Sequence, residues 1–130
     1  MRYGRQYDHR YVPWWVEENK DDDFISASQY VRCIWMWAYM VKRCESFFTS
    51  ISKKKSKLVL KIKYEHFMRN PEIWGQRICN HLDLSPTRVL QRRLGKARMT
   101  SIGKYQKRCN AEVQSAEHVA KSELEMYGYL

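Results

Sequence analysis

The sequence predicts a mixed α/β protein that is mostly helical and contains one strand. Apolar residues recur at three- and four-residue spacing in four separate stretches, which is the period of an amphipathic helix. Only one stretch, KLVLKIKYE, alternates apolar and basic residues with the period of two that a strand requires. Pro71, Pro86, Gly95 and Gly128 fall at the edges of these stretches, where they start or stop elements.

Residues 1–22 mix Tyr, Arg, Trp and Pro without a sustained period, so irregular structure laying aromatic rings on a neighbour is expected there. A long helix follows over 24–50 with Asp23 as its N-cap. Ala27, Val31, Ile34, Ala38, Val41 and Phe48 form its apolar stripe, widened by Tyr30, Trp37, Cys44 and Phe47. SISKKKSK reads as a polar connection, and Leu58, Leu60, Ile62 and Tyr64 as one face of a strand. Asn70-Pro71 is a cap followed by a first-turn proline, opening a helix over 71–82 on Trp74, Ile78 and Leu82. Ser85-Pro86 repeats that signal for a shorter helix through Leu94, closed by Gly95. KARMTSIGKYQKRC has no period and is expected to be a loop. Asn110 then caps a last helix that Gly128 ends.

The chain's 130 residues suit one domain, and a 44% apolar, 14% aromatic composition is that of a folding chain. Lys and Arg outnumber Asp and Glu by 24 to 14, a net charge of +10 that favours anionic partners: nucleic acid, phosphate esters, acidic peptides or sulfated sugars. Cys33, Cys44, Cys79 and Cys109 lack metal-ligand spacing, so neither zinc nor another metal is expected. Their number permits disulfides without requiring them. The sequence has no apolar leader and no window long enough to span a membrane, and it leaves Golgi lumen and cytoplasm equally open. GxSxG, Walker, HExxH and paired-carboxylate signatures are missing, which argues against hydrolases, kinases and metalloproteases.

One strand cannot satisfy its own edges, so the other strands must come from elsewhere, either an N-terminal half beyond these residues or a partner chain. At this point the motifs KIKYEHFMRNPEIWGQRICNHLDL, SIGKYQKR and the closing stretch through Tyr127-Gly128-Tyr129 matter together. From Tyr30 to Leu130 the chain resembles the C-terminal half of the sulfotransferases. These are P-loop-like α/β enzymes that move a sulfuryl group from 3′-phosphoadenosine-5′-phosphosulfate to a hydroxyl or amine. Tyr64-Glu65-His66-Phe67, Asn70-Pro71, His81-Leu82-Asp83-Leu84 and Ile102-Gly103-Lys104-Tyr105 stand in the family's order, with Tyr105 where the family has Trp.

The resemblance implies that 3′-phosphoadenosine-5′-phosphosulfate is the co-substrate and that Tyr64 meets its adenine. It places Arg98 at the position of the family's 3′-phosphate arginine. Met99 and Thr100 replace the expected Lys and Gly, so this match is partial. Arg98, Thr100, Ser101, Gly103 and Lys104 still offer a guanidinium fork, hydroxyls, close backbone approach and charge. The family's phosphosulfate-binding turn between a strand and a helix has no counterpart, and no catalytic His or Glu lies on a matching motif. His66 reads as a surface residue. By themselves, then, these residues are not expected to transfer sulfate. The implied acceptor is a hydroxyl, with a saccharide or protein favoured over a small molecule. Two other readings rest on residues alone: a basic nucleic-acid-binding module, and a helical interaction module without catalysis.

Overall fold

A computed structural model describes residues 3–51 and 53–130. The chain is mostly helical, with a two-stranded antiparallel sheet. It forms two compact units: the chain up to Thr49 together with Arg108–Leu130, and Ser50–Lys107.

In the first unit, β1 (Gly4–Tyr7) and β2 (Arg10–Pro13) form a hairpin in which Arg5 pairs with Val12 and Tyr7 with Arg10. Irregular structure was expected here. The hairpin arises because Asp8 and His9 both take left-handed backbone conformations, at φ 41° and 60°, as a two-residue turn between twisted strands requires. Val12 and Val16 meet Phe24 in a small core flanked by Trp15 and Trp35. The expected helix over 24–50 is two helices, α1 (Asp21–Ser26) and α2 (Gln29–Ser50). Ala27 is extended at the break, and the Ser28 hydroxyl accepts from the Val31 N–H, so serine caps the long helix while Asp23 lies inside the short one.

The second unit opens with α3 (Lys53–Ser56), where a plain connection was expected. Residues 58–64 form no strand. Turn hydrogen bonds from Leu58 and Val59 back to Lys55 and Ser56 occupy its start, and Lys63 already accepts from Phe67 at the start of α4 (Tyr64–Arg69). Alternation alone makes no ladder without a partner edge. After α4 come α5 (Pro71–His81) and α6 (Arg88–Leu94). Proline opens α5 as expected, without a side-chain bond from Asn70. Asp83, at φ 54°, closes it: Leu84 N–H reaches the Cys79 carbonyl and Asp83 N–H that of Asn80. Thr87 rather than Ser85 caps α6, accepting from Leu90. Leu94 then sits on Gly75 of α5.

Back in the first unit, Cys109 and not Asn110 is the N-cap of α7 (Asn110–Val119), and a break at Ala120 separates α8 (Lys121–Met126). Gly128, at φ 66°, ends α8, with Tyr129 N–H bonded to the Leu124 carbonyl.

Candidate functional site

All six residues singled out for nucleotide contact lie in the second unit. Tyr64 is the first residue of α4 and half exposed, at 50%. Its ring stands where extended backbone becomes helix, because Lys63 has φ −76° and ψ 131° while Tyr64 is helical. Glu65 and His66 follow in the same first turns. His66 stacks on Trp74 at 6.4 Å between ring centroids, and the Arg77 guanidinium lies over the same indole, 4.7 Å from its centroid. His66 is thus engaged in packing α4 on α5. His81, at the end of α5, bonds the Leu58 carbonyl through Nε2 at 3.1 Å and so anchors the segment that leads to Tyr64.

Arg98, Thr100, Ser101, Gly103 and Lys104 share the loop after α6, which tightens into a 3₁₀ turn over Lys104–Lys107. Gly103 has φ 74° and its carbonyl accepts from Gln106 N–H, so its left-handed conformation creates the bend. Arg98, Thr100, Ser101 and Lys104 are exposed, and no hydrogen bond joins any two of the five side chains of Tyr64, Arg98, Thr100, Ser101 and Lys104. The fold therefore gathers the five loop residues and places Tyr64 separately, on α4. No protein-family model, curated protein or solved structure matches this chain.

Sequence reasoning passed over a cleft of about 1240 Å³ in the first unit, lined by Trp35, Cys109, Glu112 and His118 among others. Glu112 is held below the usual carboxylate range, first by the Ser28 hydroxyl that donates to it and then by Arg108, whose Nη1 lies 3.1 Å away. A carboxylate so stabilised in its charged form is a weak proton acceptor. Arg108 also lies over the Tyr30 ring at 4.3 Å, so this corner ties α7 to α2. Ser28 and Glu112 are 84 positions apart, which left no local pattern to read. Among the described residues, no group of three His, Cys, Asp or Glu is placed to hold a metal ion.

Proposed function

We propose that the chain is the nucleotide-binding C-terminal part of a sulfotransferase-like fold. It accepts 3′-phosphoadenosine-5′-phosphosulfate, with Tyr64 against the adenine and Arg98, Thr100, Ser101, Gly103 and Lys104 around the 3′-phosphate. The reading rests on one observation: each motif behind the resemblance falls on a backbone junction. Tyr64 begins α4, Pro71 begins α5, Asp83 closes α5 in a left-handed turn, Gly103 bends the loop and Gly128 ends α8. Motifs that set junctions fix where loop groups point, and such groups bind ligands on a rigid scaffold. The phosphosulfate-binding turn comes from polypeptide outside this sequence, and the acceptor is a saccharide or protein hydroxyl. Little apolar surface is buried in Ser50–Lys107, where Cys79 is its one buried hydrophobic residue among those described, and this supports a unit completed by further chain.

Calorimetric titration with 3′-phosphoadenosine 5′-phosphate tests the assignment. Saturable binding is expected, weaker for adenosine 5′-phosphate, which lacks the 3′-phosphate. Tyr64→Ala should lower affinity by about tenfold, the lower-middle range for losing a base–aromatic stack. Arg98→Ala should lower it by about tenfold or more, as loss of a charged hydrogen bond does. No saturable binding, or equal affinity of both variants and the parent chain, would overturn the site.

A further inference from the structure

Charge is divided unevenly between the two units. Ser50–Lys107 holds 15 of the 24 Lys and Arg and 3 of the 14 Asp and Glu, a net +12, while the rest of the chain has 9 against 11, a net −2. No Asp or Glu occurs between Asp83 and Glu112. Within that acid-free stretch α6 is amphipathic in an unusual sense. Leu94 faces inward onto Gly75, while Arg88, Val89, Arg92 and Arg93 occupy the opposite arc by the three- and four-residue rule. All four are exposed, Val89 at 66%, and exposed Leu84 and Lys96 flank them, Leu84 at 60%. The side chains of Arg88, Arg92, Arg93 and Lys96 have no ion-pair or hydrogen-bond partner among the described residues.

We propose that this face of α6 docks on an anionic lipid bilayer. Guanidinium forks match lipid phosphate and carboxylate, and each cation near a negatively charged leaflet strengthens attachment. A nucleic-acid backbone or a sulfated polysaccharide would use the cations alike but would leave Leu84 and Val89 in water. A bilayer takes both kinds of group, since apolar side chains among basic ones can enter the boundary between headgroups and acyl chains. Among the described residues no helix is long and apolar enough to cross a membrane, so attachment would be to the surface. Tyr64 and the 98–104 loop take no part in this inference, which stands or falls separately from the nucleotide site.

Co-sedimentation of the full 130-residue chain with vesicles is the test. The chain should pellet with phosphatidylcholine vesicles that include phosphatidylserine, remain in solution with phosphatidylcholine alone, and detach as salt rises. Arg92→Gln and Arg93→Gln should each weaken partition by about fivefold, and together by about 25-fold. Val89→Ser should loosen attachment and Val89→Trp tighten it, with circular dichroism confirming that α6 persists. Should the double arginine variant lose helix, the gain from Val89→Trp still decides. Absence of binding to the serine-lipid vesicles would overturn the proposal. So would indifference to both Val89 variants coupled with tighter binding of duplex DNA or a sulfated polysaccharide.

Discussion

Replacing Arg5 with Met tests what holds the first unit together. The Arg5 side chain leaves β1 and grips Asp21 at the start of α1, with Nε 3.2 Å from Oδ2 and Nη2 on Oδ1. The same guanidinium donates to the Val16 and Glu17 carbonyls at 2.9 Å each. Side-chain exposure is 28% for Arg5 and 8% for Asp21, so the carboxylate is the deeper partner. Arg5→Met would leave Asp21 charged, desolvated and alone, at about 3–5 kcal/mol. The Glu17 carbonyl is exposed and regains water, adding little. With a urea slope of about 2 kcal/mol per molar, the midpoint falls by roughly 2 M. Tryptophan fluorescence is the assay, because Trp15 and Trp35 pack against the core that this pair closes. Adding Asp21→Asn to Arg5→Met should recover part of the loss, since a neutral amide desolvates more cheaply. A loss under about 1 kcal/mol, the value of an exposed ion pair, would refute the assignment of Asp21 as a buried, dependent charge.

Three further outcomes are expected. The Tyr127 hydroxyl donates to the Glu45 carboxylate, and this bond, with burial, pushes its pKa from 10.0 up to about 12. A raised folded-state value stabilises fully below the unfolded one, so the contribution is present below pH 10 and disappears between 10 and 12. Tyr127→Phe should lose that limb of the stability–pH curve, as denaturation series at alkaline pH would show. At Asp83, whose backbone is left-handed, Asp83→Val should cost about 1–2 kcal/mol while Asp83→Gly is neutral or stabilising in thermal melts. At Gly75 an added Cβ would lie 2.3 Å from Leu94 Cδ1, so Gly75→Val should destabilise α5 against α6 by about 1–3 kcal/mol. Leu94→Ala in the same chain should restore part of it, read from the fluorescence of the neighbouring Trp74.

Punctuated elements were legible. Pro71 opens α5 and Gly128, left-handed, follows α8 because proline restricts and glycine frees the backbone by its own chemistry, whatever surrounds it, whereas Gly95 follows α6 in an ordinary right-handed conformation. What escaped depends on partners. The hairpin escaped because its turn is Asp8-His9, two residues that tolerate left-handed backbone without advertising it as glycine does. The break between α1 and α2 escaped because the apolar stripe runs on through Ala27, and only the Ser28 hydroxyl, bonded forward to Val31 and across to Glu112, marks the new start. The candidate loop was legible in part. Gly103 takes a left-handed conformation that its residue type allows, while the 3₁₀ turn after it lies in a stretch with no hydrophobic period to reveal it.

Residues 58–64 carry the sharpest version of this lesson. Their alternation is a property of side chains, whereas a strand is a property of two backbones, and among the described residues the sheet consists of β1 and β2. Lys63 is extended, while Leu58 is held in a turn by its N–H on the Lys55 carbonyl and its own carbonyl on His81, so pairing with an edge supplied by another polypeptide would have to use the residues after Val59. Hydrogen exchange distinguishes an accepting edge from a plain loop. The amides of Leu60 and Ile62 donate to no backbone carbonyl here and should exchange almost as fast as in an open chain. On adding a polypeptide that carries the complementary strand and the phosphosulfate turn, both should slow together by a hundredfold or more, because amides two residues apart in a strand donate to the same edge. Equal, unchanged exchange at both positions would make the alternation in KLVLKIK a pattern of surface solubility.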